Sequence, residues 1–237
     1  MTNNKLKIIA IISMIIDHFG YYYSSLLDSN VYIACRIIGR IAMPIFTFLI
    51  VEGYIHTSNL RRYIGRLGIT AIITQIIFII LDILAKEKSY MVSNTLNILF
   101  AYVILLILIK LFENVIKNNN IKNKLMLVIY TSFMVVLYKF INIDYGIILI
   151  LLGFTMYLFK KYIKNMYLYK ILIATSIIIV SIILYMKYSI YLFIILSIMP
   201  ILLYNGNLGK KNKFLKYLFY VIFPLQHLIL YGVYILI

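Results

Sequence analysis

Long apolar runs separated by short polar segments dominate the sequence. A transmembrane helix needs about 20 mainly apolar residues to cross a hydrocarbon core of about 30 Å. Runs that meet this need recur along the whole chain, near residues 6–26, 31–54, 66–84, 95–112, 122–141, 145–160, 167–186, 189–205 and 214–236. The pattern therefore predicts an all-α fold, a polytopic transmembrane helix bundle of about nine spans.

Two local features modify this picture of the spans. The sixth and eighth apolar runs are the shortest, and either could equally be a re-entrant or tilted segment. Pro44, Pro200 and Pro224 all fall inside predicted spans, where proline interrupts the backbone hydrogen bonds and kinks a helix. Such kinks would suit a bundle with an internal cavity.

The sequence offers no sign of a second domain. No connection is long enough to form a soluble domain, and there is no Pro-rich or Gly/Ser-rich linker and no convincing internal repeat. The first apolar run continues through Asp17 and His18 without a small-residue cleavage site, so it is predicted to remain as a membrane span. Residues 1–237 are therefore expected to form a single integral-membrane domain.

Composition excludes one broad class of protein. Hydrophobic residues make up 64% of the chain, charged residues make up 13%, and the mean hydropathy is +1.00. Soluble domains are only about half apolar and about one quarter charged. A water-soluble globular protein is excluded, and a lipid bilayer is the expected surrounding.

The net charge of +16 would indicate a nucleic-acid partner in a soluble protein. Here the basic residues recur in short clusters between apolar runs, as the positive-inside rule predicts for cytoplasmic loops, so no nucleic-acid partner is expected. With nine spans, 17 of the 23 Lys and Arg residues fall on one side, and the amino terminus is predicted to be cytoplasmic. These are Lys5, Lys7, Arg61, Arg62, Arg66, Lys110, Lys117, Lys122, Lys124, Lys160, Lys161, Lys164, Lys170, Lys210, Lys211, Lys213 and Lys216.

Ionisable residues inside predicted spans are the main candidates for function. An Arg or Asp at the centre of a span costs about 2.5–3.5 kcal/mol on insertion scales, and such groups usually face the protein interior or water. Here they concentrate in the first, second and last spans, whereas spans four to eight carry almost none. The candidates within or just beyond these spans are Asp17, His18, Arg36, Arg40, Glu52, His56 and His227.

Three of these side chains are predicted to lie at about the same depth. The helical rise of about 1.5 Å per residue places His18 about 18 Å, Arg40 about 16 Å and His227 about 20 Å from the cytoplasmic face. Asp17 and His18 point about 100° apart on one helix, so each needs a partner from another span. Arg36 and Arg40 share a helix face, where they could hold an anionic or carbonyl group or could simply pair with Asp17.

A second set of candidates lies near the predicted cytoplasmic surface. Glu52 and His56 are four residues apart near a span end, and Arg61, Arg62 and Arg66 form a compact cationic cluster beyond them. The cluster would suit the phosphates of a nucleotide-containing cosubstrate, but lipid headgroups or positive-inside topology alone would also explain it. Three separated histidines and one cysteine, Cys35, have no metal-ligand spacing, so no metal is expected.

Several strings resemble the TraX family of bacterial integral-membrane proteins. They are KIIAIISMIIDHFG at 7–20, RIIGRIAMPIF at 36–46, VEGYIHT at 51–57 and FYVIFPLQHLILY at 219–231. One departure is ITQIIFI at 73–79, with Gln75 where the family often has an acidic or Ser-containing stretch. The matching positions are Asp17, His18, Arg36, Gly39, Arg40, Pro44, Glu52, Gly53, His56, Arg62, Arg66 and His227.

The resemblance implies a membrane acyltransferase in the bacterial cytoplasmic (inner) membrane. The family's namesake acetylates the amino terminus of conjugative pilin, and the family is distantly similar to multi-span enzymes that use cytoplasmic acyl-CoA. The resemblance thus predicts acetyl-CoA as cosubstrate and a pilin-like peptide or envelope molecule as acceptor. It leaves the acceptor's amine or hydroxyl, the acyl group and the oligomeric state open.

In this hypothesis acetyl-CoA docks from the cytoplasm, with its thioester reaching inward past His56 and Glu52 and its phosphates near Arg61, Arg62 and Arg66. His18 is the general base, Arg40 stabilises the developing oxyanion, His227 orients the acceptor or His18, and Asp17 pairs with an arginine. Two hypotheses of other classes stay open. A transporter or permease could use the same charges as a substrate or proton pathway, and a noncatalytic assembly factor for a surface peptide could use them only to lock its helices.

Overall fold

The computed structural model describes residues 1–85, 92–207, 209 and 213–237, and it is helical through most of them. Four lysines that contribute to the predicted distribution of charge between the two sides of the membrane lie outside the described residues. They are Lys86, Lys88, Lys210 and Lys211. The α-helices are α1 Asn3–Tyr22, α2 Ser29–Gly39, α3 Ala42–His56, α4 Leu60–Ala85, α5 Ile98–Lys117, α6 Ile121–Phe140, α7 Gly146–Tyr162, α8 Met166–Tyr185, α9 Ile198–Leu202 and α10 Lys213–Leu236. Two 3₁₀ helices join them, Val92–Asn94 and Ser189–Ser197.

The predicted all-α class is confirmed for the described residues, and the protein is a multi-pass membrane protein. Six helical segments within the described ranges have the length and composition to cross a membrane, the α2–α3 segment counting as one. They are Ser29–His56, Leu60–Ala85, Ile98–Lys117, Ile121–Phe140, Met166–Tyr185 and Tyr217–Leu236. The number of nine spans and the cytoplasmic amino terminus stay predictions.

Two predicted spans have more complex backbones than single helices. The second is divided into α2 and α3, with Arg40 and Ile41 at the break. Pro44 lies in the first turn of α3, where a missing backbone N–H costs little because that N–H would have no partner within the helix. The eighth is a 3₁₀ helix followed by the five-residue helix α9, which contains Pro200. Pro224 lies inside α10.

Helix α3 lies at the centre of the bundle. Twelve of its 15 residues are buried, because α3 is apolar around almost its whole circumference. It packs against α1, α5 and α7. At the periphery, α6 has no buried residue among those described and packs on α5, which is typical of a helix that faces lipid. Residues carried by α3 are thus the best shielded from both water and lipid.

The two ends of the bundle are distinct. At one end, called here the amino-terminal end, the backbone N–H of Asn3 donates to the carbonyl of Asn207 at 2.9 Å, and Asn205 N–H donates to the carbonyl of Met1 at 3.0 Å. At the opposite end, Leu96 and Ile143 form a parallel bridge between the connection before α5 and the connection before α7. The opposite end is the one where α1 finishes.

Gln75 holds the connection before α5 in place. Its side-chain oxygen accepts hydrogen bonds from the backbone and side chain of Asn97 at 3.1 and 3.0 Å, and its amide donates to the carbonyl of Thr95 at 3.1 Å. Asn97 in turn caps α5 by accepting from Leu99 N–H. The Gln75 side chain, to which the sequence assigns no role, is therefore structural, since it satisfies backbone groups of this connection.

Candidate functional site

A buried ion pair joins α1 to the break between α2 and α3. One terminal nitrogen of Arg40 donates to both carboxylate oxygens of Asp17, at 2.6 and 2.7 Å, and its other terminal nitrogen donates to the Tyr145 hydroxyl at 2.9 Å. Arg40 Nε donates to the Arg36 carbonyl at 3.2 Å. With its side chain 2% exposed, Arg40 has every guanidinium nitrogen engaged within the protein.

Arg36 completes this ion-pair cluster with a more open side chain. Its guanidinium lies 2.9 Å from an Asp17 carboxylate oxygen, donates to the Asp17 carbonyl at 3.2 Å, and is 17% exposed. The predicted four-residue spacing thus brings both arginines to one carboxylate. Gly39 makes this approach feasible, because a Cβ at that position would overlap the Asp17 side chain.

Tyr145 reaches Arg40 from a strained backbone position. It lies directly before α7 with a φ of 55°, in the left-handed region. No other non-glycine residue in the described part of the chain has a positive φ. A left-handed tyrosine costs of order 1–3 kcal/mol, and such strain concentrates at functional sites. This conformation brings the Tyr145 hydroxyl within hydrogen-bond distance of Arg40.

Two histidines meet between α1 and α10. The ring centroids of His18 and His227 are 4.3 Å apart, and the Tyr22 hydroxyl lies 2.7 Å from His227 Nδ1. Phe78 and Phe223 pack edge-on against the His227 ring with centroids at 4.7 and 5.2 Å. This pair is therefore held in an aromatic and largely apolar setting.

Each histidine keeps one nitrogen without a hydrogen bond. His18 Nδ1 and His227 Nε2 are buried and have no hydrogen-bond partner among the described residues. Buried polar atoms are satisfied in the great majority of cases, and exceptions often belong to catalytic or ligand-binding groups. These nitrogens leave both rings able to bind a polar group of a ligand.

The ion-pair cluster and the histidine pair line one cavity of about 440 Å³. Asn97, Asp144 and Tyr145 contribute part of its wall, so the cavity lies towards the opposite end of the bundle, and Met43 and Phe46 of α3 line it more deeply. The volume falls in the range of small-ligand sites. The sequence candidates that it brings together are Asp17, His18, Arg36, Arg40 and His227.

The remaining sequence candidates lie elsewhere. Glu52 is 1% exposed, its two carboxylate oxygens contact Lys160 Nζ at 2.9 Å and the Tyr204 hydroxyl at 2.9 Å, and His56 Nε2 lies 3.5 Å away. These contacts place Glu52 near the amino-terminal end. It does not line the cavity, and neither does His56. Glu52 and His56 therefore lie apart from the cavity that contains His18.

The cationic cluster also stands apart from the cavity. Arg61 and Arg62 are exposed, and Arg66 lies over the Tyr220 ring at 5.8 Å. None of the three lines the cavity. The structure thus divides the predicted site residues into a cavity group and a group at the amino-terminal end.

Tyr22, Asp144 and Tyr145 line the cavity but are not among the candidates from the sequence. Tyr22 is 1% exposed, and its hydroxyl is hydrogen-bonded to His227. Its four-residue spacing from His18 was a usable signal, because residues i and i+4 share a helix face. Asp144 and Tyr145 gave no comparable signal, since only the packing of a distant connection brings them to the cavity.

Comparisons with known proteins match most of the chain to one family. A family model described as TraX protein matches residues 2–234. A protein of Dichelobacter nodosus named "Probable fimbrial assembly protein FimC, serogroup H1" is 39% identical over 72 residues, which cover 30% of this chain and 29% of that protein. The match thus spans less than a third of the relative's length. No solved structure matches the chain.

Proposed function

The chain belongs to the TraX family, and from this premise we propose that it is a membrane-embedded acetyltransferase. It would transfer an acetyl group from acetyl-CoA to an amine or hydroxyl of a pilin-like peptide or another envelope molecule. The observation that carries the proposal is the His18–His227 pair, which lines the cavity among aromatic rings with a nitrogen of each imidazole unsatisfied. A bacterial cytoplasmic membrane is the proposed location.

In the proposed reaction His18 removes the proton from the attacking amine or hydroxyl. The acceptor heteroatom forms a bond to the acetyl carbonyl carbon, the carbon–sulfur bond breaks, and the His18 proton passes to the departing thiolate of CoA. His227, which contacts the His18 ring, orients that imidazole. The Tyr22 hydroxyl, 2.7 Å from His227 Nδ1, would fix the tautomer of His227: if the hydroxyl donates, the ring proton is on Nε2, and if it accepts, the proton is on Nδ1.

The two arginines take different roles in this proposal. Arg40 is saturated by Asp17, Tyr145 and a backbone carbonyl, so its contribution is to hold the cavity wall. Arg36 is more exposed and lies at the same cavity, so its guanidinium is the better group to stabilise negative charge on the acetyl oxygen. This reassigns to Arg36 the oxyanion role expected for Arg40 from the sequence.

The acceptor is proposed to reach the cavity from the opposite end of the bundle. The connections before α5 and α7 contribute Asn97, Asp144 and Tyr145 to the cavity wall. With a cytoplasmic amino terminus, these connections would lie on the outer side of the membrane. An envelope acceptor on that side is therefore consistent with the cavity's placement.

A second candidate function draws on the relative from Dichelobacter nodosus. That protein's printed name describes a fimbrial assembly protein, which favours a noncatalytic assembly factor as the alternative. In that case the buried polar groups only lock the helices. The protein would then support surface assembly equally well after both cavity histidines are replaced.

The test is acetyl transfer by the purified protein in lipid nanodiscs. Labelled acetyl-CoA is supplied with peptides that carry free amino termini or hydroxyls, and label transfer and CoA release are followed together. We expect turnover by the wild type and by Lys124→Gln, an exposed control, and none by His18→Gln/His227→Gln. Equal turnover by the double variant, or no turnover with any acceptor, would overturn the proposal. Solute flux in proteoliposomes without acyl-CoA would instead support transport.

Tyr22→Phe tests the role of the hydroxyl that contacts His227. One hydrogen bond contributes about 0.5–1.5 kcal/mol, so we expect a loss of about 3- to 10-fold in transfer rate with the KM for acetyl-CoA unchanged. Tyr23→Phe is the matched control, because the adjacent Tyr23 ring stacks on Phe19 at 5.0 Å and does not line the cavity. Equal rates for the two variants would argue against a positioning role for Tyr22.

A further inference from the structure

A second, cationic pocket of about 590 Å³ lies at the amino-terminal end of the bundle. It is formed where α3 and α7 end and where α5 approaches its last turn. Thr57 and Ser58, in the connection to α4, line one side. The basic residues on its wall are Lys110, Lys117, Lys160 and Lys161.

The charges around this cationic pocket are only partly balanced. Glu113 lies 3.9 Å from Lys117 Nζ and 3.9 Å from Lys161 Nζ, and Glu52 pairs with Lys160 at 2.9 Å. Lys110 has no ion pair among the described residues. Four ammonium groups thus meet two carboxylates, and the excess positive charge is concentrated in a concave surface.

Aromatic rings form another part of the wall. Tyr54 and Tyr157 pack edge-to-face with centroids 5.7 Å apart. The Tyr157 hydroxyl donates to Glu113 at 2.9 Å, and Lys161 Nζ lies 5.6 Å from the Tyr157 ring. A wall that combines lysines, hydroxyls and tyrosine rings suits a ligand with phosphate groups beside a planar base.

Arg61 and Arg62, the sequence candidates for phosphate binding, lack this geometry. They are exposed and do not line the cationic pocket, although Leu60 directly before them does. Positive-inside topology accounts for exposed arginines, but it does not require four lysines from two different helices to converge on one concavity. The convergence therefore points to a ligand.

We propose that the cationic pocket binds the 3′,5′-ADP portion of the acyl-CoA donor, an inference that rests on the proposed acetyltransferase function. The lysines would pair with the phosphates, and the tyrosine rings would contact the adenine. An anionic lipid headgroup shares the phosphate chemistry but has no planar base to place against Tyr54 and Tyr157. The structure thus assigns nucleotide binding to lysines that the sequence did not mark as a site.

The pocket and the cavity lie at different levels of α3, and the pantetheine arm of the bound donor would have to span the distance between them for the thioester to reach His18. Phe46 lines the cavity and Tyr54 lines the pocket. These two residues are eight positions apart in α3, which corresponds to about 12 Å along the helix axis. Nucleotide binding can consequently be measured without any acetyl transfer. Substitutions in the pocket leave the histidine pair untouched.

The experiment is calorimetric titration of 3′,5′-ADP into the full-length protein in phosphatidylcholine nanodiscs. We expect saturable one-to-one binding by the wild type and by His18→Gln, and at least tenfold weaker binding by Lys110→Gln/Lys117→Gln. Lys122→Gln/Lys124→Gln is the matched control, because it removes two exposed lysines of α6 that do not line the pocket. This control should bind like the wild type.

Each outcome decides the inference. Absence of wild-type binding, or equal weakening in the pocket and control variants, would overturn it. Displacement of 3′,5′-ADP by phosphatidylglycerol but not by CoA would assign the pocket to lipid instead and would also overturn it. Nucleotide binding with no acetyl transfer under any condition would leave the pocket assigned while the proposed enzymatic function fails.

Discussion

Replacing His18 with glutamine is expected to lower the rate of acetyl transfer by about 10²- to 10⁴-fold, the usual contribution of a general base. Glutamine keeps a similar polar shape against the His227 ring but cannot take up a proton at neutral pH. Because the cationic pocket is separate, the binding of 3′,5′-ADP should stay at the wild-type level. Single-turnover transfer in nanodiscs, with binding measured on the same preparation, separates the two effects.

The combination with His227→Gln sharpens this test. If the two imidazoles act as one unit, the double variant should be little slower than His18→Gln alone, because residues that act together are strongly non-additive. Independent roles would instead multiply the two losses. A His18→Gln variant that transfers acetyl groups within a factor of three of the wild type would rule out His18 as the base.

Replacing Arg40 with glutamine is expected to lower the free energy of unfolding by about 3–5 kcal/mol. The substitution leaves the Asp17 carboxylate, 14% exposed, with Arg36 alone and removes the donor to the Tyr145 hydroxyl. Cys35, the one cysteine in the sequence, provides the readout. A thiol-reactive dye would report its exposure during thermal unfolding in detergent.

Asp17→Asn completes a double-mutant cycle for this ion pair. Each single substitution leaves an opposite charge buried without its main partner, so the double variant should lose clearly less than the sum of the two single losses. Lys124→Gln, an exposed change far from the pair, should unfold like the wild type. An Arg40→Gln variant within 1 kcal/mol of the wild type would show that the pair contributes little to stability.

Much of the fold could be predicted because the bilayer penalises charge so strongly. Runs free of charge had to be helices in lipid, and the structure has α-helix over most of them. The break at Arg40 and the 3₁₀ helix Ser189–Ser197 were not predicted, because hydropathy measures transfer into lipid and does not depend on the exact backbone conformation. Where protein surrounds the backbone, irregular segments are tolerated at membrane depth.

The candidate site was predictable to the extent that it depends on depth along single helices. Helical rise alone placed His18, Arg40 and His227 at one level, and the structure brings all three to one cavity. Depth does not indicate which helix faces meet. Glu52 looked like part of a route inward, but the packing of Lys160 and Tyr204 against α3 holds it at the other end.

Gly39 has a consequence for how variation in this protein should be interpreted. Residue 39 carries no side chain, and that absence sets how closely α1 and α2 approach beside Asp17. Even alanine there would press on the carboxylate and shift it relative to Arg40. A genetic screen would therefore score residue 39 alongside the reactive groups, although a glycine can neither move a proton nor hold a charge.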